Sequence, residues 1–361
     1  MAELKALSPG STIGILGGGQ LGRMLALAAG DLGLNCHIYC PEENSPAFAV
    51  SKAHTCADYD DEQALRAFAN AVDVVTYEFE NVPGETASVL SALVPVYPNP
   101  KVLQIGQDRL DEKNFFLKQG FGCAPFAQVD TDEDLQSALE DIGTPSVLKT
   151  RRLGYDGKGQ VMLTASGDSS TAMADVGNAP AILEGFIDLK CEISVIVARG
   201  ADGQTAIFDI AENVHKNHIL FTSTVPASVN ESVQDEARAI GQKLASALDY
   251  VGVLSVELFV TQNDALLVNE IAPRVHNSGH WTQDACLVSQ FQQHIRAVAG
   301  WPLDNPKRHS DVIMTNLLGD EIKTWRTLAQ EPNAAFHDYG KLEARPGRKM
   351  GHVNHIFERK A

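Results

Sequence analysis

Ser255-Val256-Glu257-Leu258-Phe259-Val260 and Ala265-Leu266-Leu267-Val268-Asn269-Glu270 are two apolar runs joined by Thr261 to Asp264. Such runs, broken by Asn-Asp, read as the strands of an antiparallel hairpin. With the turn centred on Asn263 and Asp264, residues equidistant from it face each other, which sets Glu257 opposite Glu270. Cross-strand Cβ atoms lie roughly 5 Å apart. Two carboxylates there repel by about 3 kcal/mol at an effective dielectric of about 20, an avoidable cost in strands otherwise built of Val, Leu and Phe. A divalent cation removes it. Oxygen ligands beside phosphate-binding segments argue for Mg²⁺ rather than zinc. The bland alternative, a protonated or solvent-turned carboxylate, explains less.

Beyond the hairpin comes Ile271-Ala272-Pro273-Arg274-Val275-His276-Asn277-Ser278. Arg274 can steady a transferring phosphoryl group, and His276 can hydrogen-bond or move a proton. Upstream, Lys149 to Gly159 (Lys-Thr-Arg-Arg-Leu-Gly-Tyr-Asp-Gly-Lys-Gly) packs four cations and three glycines into 11 residues between two strands. An ordinary hairpin needs neither. Glycines let the backbone close over a polyphosphate and the cations neutralise it, so the segment reads as an ATP lid, although the Walker pattern is absent. Downstream, Lys341 to Lys349 places four cations in nine residues. In a chain with net charge −17 this reads as a second anion site.

The N-terminal third alternates apolar runs with helical spacing: Thr12 to Leu16, then Leu21, Met24, Leu25, Ala28 and Leu32, then Cys36 to Cys40. Val72 to Tyr77 and Val94 to Tyr97 add two further strands, which gives a small parallel sheet with covering helices. Gly17-Gly18-Gly19-Gln20-Leu21-Gly22 lies between the first strand and its helix and reads as a phosphate-binding turn. NAD is the rival ligand, but only Glu42 stands near the end of the second strand. Glu78 and Glu80 fall at the carboxyl end of a parallel strand, where open α/β sheets bind ligands, and Glu78 is a candidate acceptor for sugar hydroxyls.

Pro98 and Pro100 end this region. Helices follow over Asp108 to Gln119 and Asp132 to Asp141, and Cys191 to Arg199 with Thr205 to Ala211 form a further hairpin around Asp202-Gly203. The expected domains are 1–105, 106–185 and 186–361. The acidic balance disfavours nucleic acid and anionic membrane, no apolar stretch reaches the ~20 residues of a membrane span, and no targeting signal is visible. The six cysteines lack zinc or disulfide spacing, so reduced thiols in a cytoplasmic enzyme are expected.

Taken in order, Gly17 to Met24, Tyr77 to Pro83, Tyr155 to Gln160, Asn269 to Thr282 and Tyr339 to His352 resemble the 5-(carboxyamino)imidazole ribonucleotide synthetases, ATP-grasp ligases of purine biosynthesis, over nearly the whole chain. The resemblance implies an α/β and α+β architecture: an N-terminal Rossmann-like domain with a parallel sheet, a small lid domain, and a C-terminal ATP-grasp domain with an antiparallel sheet. A homodimer is usual. ATP would meet Arg109, Lys149, Tyr155, Asp156, Gly157, Lys158, Gly159, Gln160, the hinge Glu184, Gly185, Phe186 and Ile187, then Glu192, His215, Asn269 and Glu270, with Mg²⁺ on Glu257 and Glu270. Aminoimidazole ribonucleotide would meet Gly19, Gln20, Leu21, Glu78, Tyr155, Asp156, Lys341 and Arg348. Arg274, His276, Tyr155 and Lys158 would stand at the reacting centre. The implied chemistry is phosphorylation of bicarbonate to carboxyphosphate, whose carbon is captured by the exocyclic amine, without biotin. Lys158 stands where some members carry Arg, which exchanges a fork for a point charge. Ala272 follows this family's own pattern, where many ATP-grasp relatives have Asn.

Three rivals remain at this stage. Another ATP-grasp carboxylase or a formate-using transformylase would differ in the acid or acceptor used. An NAD-dependent dehydrogenase would rest on the Gly17 to Gly22 turn, and a nucleotide sensor would release no phosphate.

Overall fold

The computed structural model describes residues 6–154, 157–165 and 171–360. The first sheet is parallel: β1 (Thr12–Leu16), β2 (Asn35–Tyr39), β3 (Ala53–Thr55) and β4 (Val74–Tyr77), in the order β3-β2-β1-β4. Helix α1 (Gln20–Asp31) follows β1, and α2 (Glu62–Ala69) leads into β4. The expected strand Val94 to Tyr97 is reduced to one parallel bridge between Val75 and Val96. Pro95 has no N–H to give a ladder, and what survives is its carbonyl accepting from Val75 and the Tyr97 N–H reaching back to Val75, each at 2.9 Å.

Helices α3 (Gly84–Ser91) and α4 (Pro100–Gly106) lead to α5 (Arg109–Lys118), which is capped by Asp108 and closed where Gly120 takes φ +80°. A second, antiparallel sheet follows, with β5 (Phe126–Val129), β6 (Ser146–Thr150), β7 (Gln160–Leu163) and β8 (Ala181–Gly185) in the order β5-β8-β6-β7. Helix α6 (Asp132–Ile142) opens on a capping box between Thr131 and Asp134, and short α7 (Ala172–Asp175) precedes β8.

The third sheet holds β9 (Leu189–Arg199), β10 (Thr205–Ile207), β11 (Ala211–Lys216), β12 (Ile219–Val225), β13 (Gly252–Thr261), β14 (Leu266–Ala272), β15 (Ser310–Leu318), β16 (Ala334–Asp338) and β17 (Lys349–Glu358). Its order is β14-β13-β9-β11-β12-β15-β17-β16, with β10 on β9, so β14 is an edge. The strand expected over Thr205 to Ala211 is split: β10 pairs with one end of β9, and Ala211 starts a new strand that carries His215. Helices α8 (Glu231–Ala247), α9 (Thr282–Ala285), α10 (Gln290–Val298) and the short α11 (Trp325–Leu328) belong to this part.

One apolar cluster runs from Ile15 and Leu25 through Phe208 to Trp281 and Ile295, so the first and third sheets share a core. The cluster inside the second sheet, around Leu135, Leu148 and Leu183, contains residues of that region only. A buried polar tie reinforces the shared core. His294 Nδ1 accepts the Val253 N–H at 3.0 Å, which leaves the proton on Nε2 to be donated to Thr76 Oγ1 at 2.7 Å. None of the six cysteines forms a disulfide, and no helix among the described residues is long and apolar enough to cross a membrane.

Candidate active site

Glu257 does face Glu270 across β13 and β14, but by a different route from the symmetric turn. The loop is Gln262 to Asp264, with Asp264 in the left-handed region at φ +64°, so Val260 pairs with Leu266 and Leu258 with Val268. That register would set Glu257 against Asn269. A β-bulge adds Asn269 to β14 and brings Glu270 opposite Glu257. Both Asn269 and Glu270 consequently look into one cleft of about 970 Å³.

Burial first, and then the facing charge of Glu270, push the Glu257 carboxyl up to about 8. Glu270 is drawn aside to Arg109, with Nη1 3.1 Å from Oε2. On the neighbouring strands Glu192 and His215 pair at 3.1 Å, and one ligand atom from each of Glu192, His215 and Glu257 falls within a common 4.8 Å. Burial alone would depress the His215 ring, but the Glu192 carboxylate overrides it and raises the pKa. A carboxylate destabilised by a second one, in an oxygen-rich wall, fits a hard divalent cation.

Arg274 and His276 stand beside this pair. Glu80, just past β4, grips Arg274 through two hydrogen bonds, from Nε and, at 3.2 Å, from Nη2, and this charge holds the Glu80 carboxyl below its usual range despite burial. His276 Nε2 lies 3.2 Å from Glu257 Oε1, and its Nδ1 lies 2.9 Å from Ser278 Oγ, which accepts from Ser194 Oγ at 2.8 Å. Burial, reinforced by Arg274 and Lys349, drives the His276 pKa well down, so the ring is neutral.

The glycine turn is occupied by the protein itself. Glu78 accepts the Gly19 N–H at 2.5 Å and the Gly22 N–H at 2.7 Å, so two of the turn's amides are already spent on a carboxylate. The glycines are steric requirements of that fit: a Cβ on Gly19 would come within 2.6 Å of Glu78 Oε1, and one on Gly17, itself at φ +106°, within 2.2 Å of Glu78 Cγ. Those two amides are not open to a phosphate, while Gln20 and Leu21 of the same turn line the cleft. Burial pushes the Glu78 pKa up against the pull of these amides, Arg274 and Lys341.

The cation-rich loop is also partly spent. Arg151 forks onto Asp108 at 2.9 and 2.8 Å, and Arg152 donates to the Gln107 side chain at 2.8 Å, so two of its cations anchor the loop to the start of α5. Lys149 binds Glu184 at 2.9 Å, and Lys113 stands 3.7 Å from the same carboxylate. Gly157 and Gly159 have φ of +80° and +70°, and a Cβ on either would meet His218 or Thr150 at 2.6 Å. Tyr155 and Asp156 lie outside the described residues.

The cleft thus collects Gln20, Leu21 and Glu78 from the first region, Arg109, Lys149, Gly157, Lys158 and Gln160 from the second, and Glu192, His215, Glu257, Asn269, Glu270, Arg274, His276, Lys341 and Arg348 from the third. Gly19, Gly159 and the hinge Glu184, Gly185, Phe186 and Ile187 are not part of its wall. Sequence reading passed over Glu112 and Lys113 and gave Glu80 no partner. Acids and bases inside a helix or at a strand end carry no local sign of what they face.

An antiparallel sheet whose hairpin sets paired acids into a cleft, beneath a glycine-rich loop from a smaller sheet, defines an ATP-grasp ligase. The comparisons agree: residues 114–291 match the ATP-grasp domain family, 11–107 the ribonucleotide synthetase preATP-grasp domain, and 312–361 the phosphoribosylaminoimidazole carboxylase C-terminal domain. The N5-carboxyaminoimidazole ribonucleotide synthase of Brucella melitensis is 53% identical over 356 residues, covering 98% of each chain. The fold superposes on an N5-carboxyaminoimidazole ribonucleotide synthetase solved with ADP at a TM-score of 0.96, with 42% identity over 99% of this chain and 95% of that one. The Aspergillus clavatus synthase in complex with ADP and 5-aminoimidazole ribonucleotide gives 0.91, with 30% identity over 97% and 94%. The chain belongs to the N5-carboxyaminoimidazole ribonucleotide synthase family.

Proposed function

We propose that this cleft carboxylates 5-aminoimidazole ribonucleotide with bicarbonate at the expense of ATP, yielding the N5-carboxyamino product, ADP and phosphate. The observation that carries the reading is the facing pair Glu257 and Glu270, set beside Arg274 and His276 in one cleft. Glu257 and Glu270 would hold Mg²⁺, which when bound offsets phosphate charge and orients the polyphosphate.

Arg109, Lys149, Glu192 and His215 hold the nucleotide, with Glu184 to Ile187 as its hinge. Gln20, Leu21, Glu78, Lys341 and Arg348 face the ribonucleotide, Gly19 backs Glu78, Tyr155 and Asp156 are assigned to both ligands by the family resemblance, and Lys158 to the nucleotide and the reacting centre. Transfer of the γ-phosphoryl group to a bicarbonate oxygen gives carboxyphosphate. Its breakdown to CO₂ and phosphate leaves a carbon for the exocyclic amine to attack, with loss of one amine proton. Arg274, fixed by Glu80, presents its remaining N–H groups to the anion, and neutral His276 can accept that proton. The division 1–105, 106–185 and 186–361 is supported by each sheet lying within one of the three segments. A cytoplasmic homodimer is part of the same reading.

Phosphate release, measured with bicarbonate and the ribonucleotide omitted in turn, tests it. Rapid release is expected only with both. Equal turnover with formate, or with glycinamide ribonucleotide as the acceptor, overturns the assignment.

A further inference from the structure

The free edge of β14 is covered by α5, whose Arg109, Glu112 and Lys113 share one helix face. Lys113 Nζ donates to the carbonyl of Asn269 at 2.8 Å, and Glu112 Oε1 accepts the N–H of Ile271 at 2.8 Å. Both side chains are buried, at 1% and 3% exposure, where an aliphatic pair would fill the space without charge. The two atoms they hold flank Glu270 on either side, and the first belongs to the inserted residue of the bulge.

We propose that Glu112 and Lys113 are positioning residues for the metal and nucleotide site, clamping the β14 bulge so that Glu270 stays opposite Glu257. Without the bulge the register set by the turn runs on, Asn269 takes the place opposite Glu257, and Glu270 turns to the other face of the sheet. The clamp thus decides which residue completes the acidic pair, and Arg109 one turn earlier steadies the Glu270 side chain itself. This inference rests on the reading of Glu257 and Glu270 as ligands for Mg²⁺.

The test is steady-state kinetics of the full chain carrying Glu112→Ala, Lys113→Met or Glu112→Gln, with calorimetric titration by Mg·ADP and a melt of each. Glu112→Ala and Lys113→Met are expected to raise the Mg²⁺ needed for half-maximal rate by about tenfold or more, and to weaken Mg·ADP binding to match. The KM for the ribonucleotide should hold. Glu112→Gln keeps an acceptor for the Ile271 N–H and should restore the wild-type Mg²⁺ response, which a general loss of packing would not predict. If Glu112→Ala does not fold, Lys113→Met carries the test. An unchanged Mg²⁺ response, or equal losses toward both substrates, overturns the clamp alone. A wild type indifferent to Mg²⁺ overturns the metal reading and the clamp together.

Discussion

Glu78 and Glu257 face the same cleft from different sheets, and burial raises the pKa of both. Around Glu78 the chain supplies two amide donors at 2.5 and 2.7 Å, with Arg274 and Lys341 nearby. Around Glu257 it supplies a neutral imidazole at 3.2 Å and a second carboxylate across the strand. The first site is complete without a ligand and serves as a fixed wall. The second is left electrostatically unfinished, its carboxyl keeping a proton that a bound cation would displace, and such a group in a cleft marks where a ligand contributes most.

The largest test of that contrast removes an ionisable group. Glu257→Gln or Glu270→Gln should leave the fold intact and lower kcat by about 10² or more. Activity near wild type at ordinary Mg²⁺ would mean that neither acid is a ligand. The counterpart is Glu78→Gln, which turns one acceptor into an NH₂ facing an amide donor. It should cost about 1–3 kcal/mol of stability and weaken the ribonucleotide without altering the Mg²⁺ dependence. Thermal melts and separate KM values check both, and a Glu78→Gln enzyme that melts like wild type would show the turn to be self-sufficient.

The smallest effect is on pH dependence. Glu257, raised from 4.5 to about 8, keeps a proton in the folded protein that the unfolded chain has released. Stability of the metal-free protein should therefore fall as the pH climbs from about 4.5 to about 8. Glu112, also raised to about 8, acts with the same sign. In EDTA, Glu257→Gln should flatten the slope, and saturating Mg²⁺ should flatten it in the wild type by favouring the carboxylate. Melting curves near pH 5 and pH 8 in EDTA that show the same slope for Glu257→Gln and wild type would remove Glu257 as the source.

The parallel strands, the helix over Asp108 to Gln119 and the hairpin of Glu257 with Glu270 were legible because each depends on spacing within a short stretch. The hairpin also shows how far such arithmetic reaches. A symmetric two-residue turn and a three-residue turn followed by a bulge end on the same pair, and only the backbone distinguishes them. Val94 to Tyr97 failed as a strand because Pro95 removes a donor. The Gly17 to Gly22 turn was only partly legible because the partner of two of its amides, Glu78, lies 59 residues beyond Gly19, and Arg151 and Arg152 looked like phosphate ligands until Asp108 and Gln107 came beside them. Glycine and charge patterns say that something approaches the backbone, and tertiary structure decides whether it is a ligand or the chain itself.

The hydrogen bonds of His294 to Val253 and Thr76 have a mechanical consequence. Thr76 lies two residues before Glu78, and Val253 lies on the strand that carries Glu257. The wall that carries Glu78 and the wall that carries Glu257 are thereby halves of one body, joined through a shared core. The second sheet has a core of its own, so any displacement of that sheet would change the gap above Glu257 and Glu270 and leave the spacing between Glu78 and Glu257 untouched.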